Sequence, residues 1–286
     1  MTSLTSTQPR APGPSQLAKM LKSPFWLRVG LIAIVIALLE YYGRFHADPA
    51  FMRPPSAVLD AFFTSVISEP KIVNALWLCV MEIAVAYGMA VILGLLIGLV
   101  IGATNFSRAA LFPIVLMLFA IPQVAFMPLV IMIFGLGPAA KIFFGFSHGI
   151  FPIIVNVVAG MRDVKELHLR GAKSMGASRS DIIRHVILPN MVPSLFTGLR
   201  LGMTLTLLGV ILAELYVSTG GVGYYTRVFA ENYNPAPLFA LTICLAIIAI
   251  VFNELVRIAE NRLTPGKRKA PKIQVSKLQL SKSGNK

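Results

Sequence analysis

Six stretches of the chain are apolar almost without a break: Trp26–Tyr42, Ala75–Ile101, Leu111–Phe134, Ile142–Met161, Thr197–Val217 and Leu238–Ile258. A bilayer core about 30 Å thick takes roughly 20 residues of helix, because in lipid every backbone N–H and C=O must be bonded within its own segment. The pattern therefore predicts six membrane-spanning helices. The third carries Pro113, Pro122 and Pro128 and runs into Gly135-Leu136-Gly137-Pro138, so it is expected to be kinked.

Composition agrees with the pattern. Of 286 residues 56% are hydrophobic and 13% charged, and the mean hydropathy is +0.75. A water-covered globular surface needs about 25% charged residues. A soluble enzyme is excluded, and the fold class is an all-α, polytopic membrane protein. The net charge of +14 suggests nucleic acid until its distribution is read. With the N-terminus inside, 20 of the 26 Lys and Arg fall on cytoplasmic segments. Arg44, Arg53, Lys71, Lys141 and Arg227 fall on outer loops, and Arg200 starts the fifth span. That asymmetry predicts a multi-pass protein with both termini cytoplasmic.

The tail, residues 266–286, is basic, with seven Lys and Arg and no acid from Lys267 to Lys286. Rich in polar residues, it reads as a disordered segment lying on anionic lipid rather than on nucleic acid. Residues 1–24 read as a disordered cytoplasmic lead, 25–53 as the first span and its outer loop, and 54–265 as the remaining membrane domain.

Inside the spans, Gly94, Gly98 and Gly102 form a doubled small-xxx-small stripe, which lets a neighbouring helix approach closely. Ionisable groups at membrane depth are expensive and so are functional candidates. Glu214, near the outer end of span five, is a candidate gate or structural partner, whereas Glu82 and Glu254 read as structural. His148 and Asn156, two turns apart on one face of span four, are candidates to line a pathway. Cys79 and Cys244 are isolated in apolar runs, so no metal site is indicated. The four histidines are scattered, which argues against an integral membrane enzyme. A secondary transporter driven by an ion gradient is the alternative class, although no inverted repeat relates the two halves.

The segment from Arg162 to Phe196 is too long for a connector and too patterned for a linker. Ala172-Lys-Ser-Met-Gly176 ends a helix at a glycine, and Ser178 with Asp181 is placed to start another through Ile182 to Val186. Leu188-Pro189 is expected to terminate that helix. The result would be two short helices with a glycine elbow, offering Met175, Ala177 and Ile182 to a partner.

These residues resemble the cytoplasmic signature of the membrane subunits of binding-protein-dependent ABC importers: Glu-Ala-Ala, three residues, Gly, nine residues, Ile, one residue, Leu-Pro. Here the spacing is kept in Arg170-Gly171-Ala172, Gly176 and Val186-Ile187-Leu188-Pro189, with Arg-Gly in place of Glu-Ala and Glu166 one turn earlier. Ala120 to Gly137, Phe151 to Arg162, Ala213-Glu214 with Gly221-Val222-Gly223, and Arg257 to Pro265 are similar to the nitrate, sulfonate and taurine branch. The resemblance implies a type I importer fold and a homodimer in the bacterial inner membrane. It also implies two separate ABC ATPase subunits, and an extracytoplasmic solute-binding protein delivering a small, anionic solute. It makes the elbow the coupling loop seated in the ATPase. The chain itself has no G-x-x-x-x-G-K-[ST] loop, so no cofactor is expected here and ATP would be bound by the partner.

Overall fold

A computed structural model describes residues 24–164, 166–217 and 219–263. The lead before residue 24 and the basic tail lie outside the described residues. The chain divides into two compact units, one from residues up to Glu69 together with Phe229–Ala240, the other from Pro70–Val228 and the segment from Leu241 on.

In the first unit, α1 (Pro24–Phe45) is apolar all round, and none of its hydrophobic window is buried within the chain, as befits a helix solvated by lipid. It is joined to α2 (Pro55–Ala61) by Glu40. The Glu40 carboxylate accepts the Ser56 amide at 3.0 Å and the Ser56 hydroxyl at 2.7 Å, and pairs with Arg44 one turn on.

The second unit is built on α3 (Pro70–Gly102), α6 (Pro138–Arg162) and α9 (Leu188–Val217). Between them lie α4 (Asn105–Ala120) and α5 (Met127–Phe134); then α7 (Glu166–Ser174) and α8 (Arg179–Ile182). α10 (Val222–Glu231) and α11 (Pro235–Leu263) follow in the chain, with Phe229–Ala240 counted in the first unit. Among the described residues five helices are long and apolar enough to cross a membrane, or six if the bent pair from Asn105 to Phe134 is one span.

The predicted kink in span three is a break. α4 ends at Ala120, Ile121 is extended, as the residue before a proline prefers, and the chain restarts in a short 3-10 turn at Gln123, bent by 77°. Pro113 is tolerated inside α4, and Pro128 sits in the first turn of α5, where its missing N–H costs nothing.

Two boundaries differ from the sequence expectation. Gly137 caps α6, with Pro138 in its first turn, so the helix starts four residues before Ile142 and takes in Lys141, which the charge count had assigned to an outer loop. Leu188-Pro189 does not terminate a helix. The chain is continuously helical from Ser180 to Tyr216. The reason lies just upstream, where Ile183–Ile187 form a π-turn. The Leu188 amide bonds back to Ile183, and the widened ring accommodates the proline that follows.

The core is a ladder of small residues. Apolar surface gains nothing from leaving lipid, so close van der Waals packing must hold the helices. A Cβ on Gly94 would meet Ile153 Cγ2 at 2.9 Å, on Gly98 Val157 Cβ at 2.8 Å, and on Gly102 Met161 Sδ at 2.5 Å. A Cβ on Gly145 would lie 3.3 Å from Ala86 Cβ. In all four pairs the α6 number is 59 above the α3 number, so the two helices run in one parallel register. On its other side α6 meets α9 antiparallel. A Cβ on Gly198 would fall 2.6 Å from Asn156 Cβ, on Gly202 2.7 Å from Ile153 Cγ1, and Gly209 would touch Gly145 Cα at 3.0 Å.

One helix supplies both a test residue and its control. Gly98→Ala should destabilise the purified protein by about 1–3 kcal/mol through overpacking. Gly88→Ala on the same helix, where nothing lies within 4 Å, should be neutral or stabilising by up to about 1 kcal/mol, since alanine favours helix over glycine. Thermal unfolding in detergent distinguishes them; equal shifts would contradict the ladder.

Candidate functional site: a buried ion triad and a glycine elbow

The stripe that carries Gly94, Gly98 and Gly102 continues towards the start of α3 as Ala90, Ala86 and Glu82, four residues apart and all buried. On α6 the facing stripe runs from Met161 back through Gly149 and Gly145 to Lys141. The register of 59 that pairs Gly94 with Ile153 thus pairs Glu82 with Lys141. Lys141 Nζ lies 2.5 Å from Glu82 Oε1 and 3.7 Å from Glu214 Oε1 on α9. Glu82, Lys141 and Glu214 are 1%, 2% and 0% exposed.

Holding two carboxyl groups and an ammonium out of water is costly unless further groups offset the desolvation. The offset comes from α10. Glu214 Oε2 accepts the Gly223 amide at 2.8 Å, one of the orphan donors at the helix N-terminus, where the macrodipole favours an anion. Backbone geometry admits only glycine at the approach: Gly221 has φ +115, and a Cβ there would lie 2.6 Å from Glu214 Oε1. Arg227 Nη1 donates to the Leu215 carbonyl at 2.9 Å, fastening α10 to the same end of α9. Beside the triad is a cavity of about 420 Å³ lined by Lys71, Asn74, Lys141, Thr219, Gly220 and Tyr225 among others.

The elbow lies at the other end of α6. Gly176 has φ +77, and the helix closes in a Schellman motif. The Gly176 amide donates to Lys173 O at 3.0 Å and the Ala177 amide to Ala172 O at 3.1 Å. Ser178 and Asp181 then form a reciprocal cap. The Asp181 amide donates to Ser178 Oγ at 3.2 Å and the Ser178 amide to Asp181 Oδ2 at 3.1 Å. The Ser178 hydroxyl, donating to Asp181 Oδ2 at 2.6 Å, together with that amide, holds the Asp181 carboxyl below the usual carboxylate range.

Exposure divides the elbow residues. Met175 at the tip is 84% exposed and Leu167 75%; Arg170, Gly176, Ser178, Asp181, Leu188 and Pro189 are also exposed, and Ala177 is half-buried. Ala172 and Ile182 are buried, so Ile182 packs within the chain rather than being offered outward as its position suggested. Glu166 opens α7.

Of the three pathway candidates, only Glu214 adjoins the cavity through its triad. His148 Nδ1 lies 2.9 Å from Phe144 O, and Asn156 donates to Pro152 O at 2.8 Å. Both bond to their own helix, sit where Gly209 and Gly198 of α9 come close, and are half-buried. Glu254 pairs with Arg257, and Arg200 with Glu260. Sequence reasoning missed Lys141 as a partner. The missed signal was the four-residue stripe, which carries Glu82 onto the buried face.

Among the described residues the chain is an all-helical membrane bundle with a two-helix knob between two spans. Residues 90–265 match the family described as binding-protein-dependent transport system inner membrane component, and the chain belongs to that family. It is 29% identical to the taurine transport system permease protein TauC of Escherichia coli K12, over 84% of this chain and 89% of that one. With the nitrate import permease protein NrtB of Synechocystis the identity is 25%, over 74% and 77%. The fold is shared with an inward-facing structure of the MetNI methionine ABC transporter, at TM-score 0.57 and 21% identity, over 71% of this chain and all of that one.

The triad makes a direct prediction. Lys141→Met leaves two buried carboxylates facing each other and should cost about 3–5 kcal/mol, whereas Lys141→Met combined with Glu82→Gln should recover most of the loss. Thermal unfolding of the two variants in detergent checks it; a double variant no more stable than the single one would show that Glu82 is not the ammonium's main partner.

Proposed function

We propose that this chain forms, as a homodimer, the membrane path of an ATP-driven importer for a small anionic solute of the taurine, sulfonate or nitrate type. The solute is handed over by an extracytoplasmic binding protein. Energy comes from two separate ATPase subunits, and both termini are cytoplasmic. The observation that carries the reading is the exposed Met175 knob, joined through α8 and the π-turn to α9 without a break from Ser180 to Tyr216. A push on the elbow is then delivered along a single rod to Glu214. At about 1.5 Å per residue, Lys141 and Arg162 are some 30 Å apart along α6, so two helices tie the ATPase side to the triad side.

In this mechanism closure of the ATPases on ATP draws the two elbows together, and α6 and α9 rock as a packed pair. The chain performs no covalent chemistry. Solute preference resides largely in the binding protein. The family membership and the kinship with TauC and NrtB support this reading over an ion-driven carrier.

Met175→Asp places a charge on the exposed tip without entering the core. It should abolish co-purification of the ATPase and lower ATP-dependent uptake of taurine or nitrate into proteoliposomes by at least about tenfold, a loss of about 1.4 kcal/mol or more in coupling, with the unfolding temperature of the isolated chain unchanged. Uptake driven by an ion gradient in vesicles lacking the ATPase would favour the alternative class.

A further inference from the structure

The break in span three places polar groups where a lipid-facing helix has none. Gln123 stands directly after Pro122 at the 77° bend. Its Oε1 lies 3.1 Å from Ser147 Oγ, which is also 2.8 Å from Phe144 O, so the hydroxyl shares one proton between two acceptors. Ser147 is nine residues into the 25-residue α6, about 14 Å from its start, and therefore lies within the hydrocarbon depth of the membrane. With its oxygen held against Ser147, Gln123 carries its amide nitrogen on the other side, where no described residue pairs with it. The residue is half-exposed, and Ile121, Pro122, Val124, Ala125 and Phe126 around it are exposed.

An unpaired amide donor and a non-helical backbone do not face lipid. At that depth they are tolerated only against protein or beside a water-filled cavity. Packing against α6 accounts for the oxygen of Gln123 but not for the nitrogen.

Resting on the permease reading, we infer that the span-three break faces the water-filled solute path, and that Gln123 Nε2 is a neutral hydrogen-bond donor to the oxygens of a passing oxyanion. The donor adds no charge, so it offers orientation without the tight binding that would trap the solute midway. Ser147 is a positioning residue, fixing which side of the amide faces the path.

Two variants of the assembled complex test this. Gln123→Cys should react with an anionic, water-soluble methanethiosulfonate at least about tenfold faster than Ile250→Cys, a position 66% exposed on α11, whereas the parent, whose two cysteines are buried, should not react. Gln123→Glu keeps the acceptor for Ser147 but removes both donors and adds a negative charge. It should lower ATP-dependent nitrate uptake about tenfold while leaving ATPase assembly and unfolding temperature unchanged, which a purely structural role for Gln123 would not produce. Labelling of Gln123→Cys no faster than of Ile250→Cys, or nitrate uptake by Gln123→Glu within twofold of the parent, would overturn the assignment. Failure of the parent to take up nitrate or taurine, with Gln123→Cys still labelled, would instead count against the proposed solute class and leave the wet face standing.

Discussion

The constraint on which the rest depends is the close approach of α3 and α6 along two four-residue stripes. In lipid the helices have no solvent to escape, and cohesion comes from how near their backbones can lie. Glycine at 94, 98 and 102 on one helix receives Ile153, Val157 and Met161 of the other, and Gly145 receives Ala86 in the same register. α9 then packs on the opposite side of α6 through its own glycines. A helix gripped on both faces behaves as a rigid member, and α6 is the member that runs from the triad to the elbow.

The same register sets the electrostatics. Because side chains four apart share a face, the rungs of the ladder lead to Glu82 and Lys141 at one end, and the antiparallel α9 brings Glu214 to them. The ion pair is not there to add stability cheaply, since desolvation cancels most of what a buried pair gains. It specifies how three helices align, and the α10 N-terminus supplies what the lysine leaves uncompensated. At the far end of α6 the Gly176 elbow and the Ser178–Asp181 cap are fixed by local backbone chemistry alone, and the π-turn before Leu188 passes their position into α9.

Much of this was legible in the sequence, for identifiable reasons. Six apolar runs, the glycine stripe, the Gly176 turn and the Ser178–Asp181 cap depend on local pattern, and each is present. What failed depended on neighbours. Lys141 reads as a loop cation because a lysine beside Gly-Pro usually is one; only a facing Glu82 makes it a core residue. Leu188-Pro189 reads as a stop because the accommodating π-turn cannot be seen in composition. Ile182 reads as exposed because loop helices usually are, yet its own chain buries it.

The register between α3 and α6 is open to one decisive measurement. A Cβ on Gly102 would lie 3.4 Å from Met161 Cβ, close to the spacing of about 3.8 Å found in disulfides. Gly102→Cys with Met161→Cys should therefore cross-link within the chain on mild oxidation, whereas Gly102→Cys with Arg162→Cys, turned about 100° around α6, should not. Cross-linking of the first pair alone is the result expected from the 59-residue register; no cross-link, or equal cross-linking of both pairs, would contradict it.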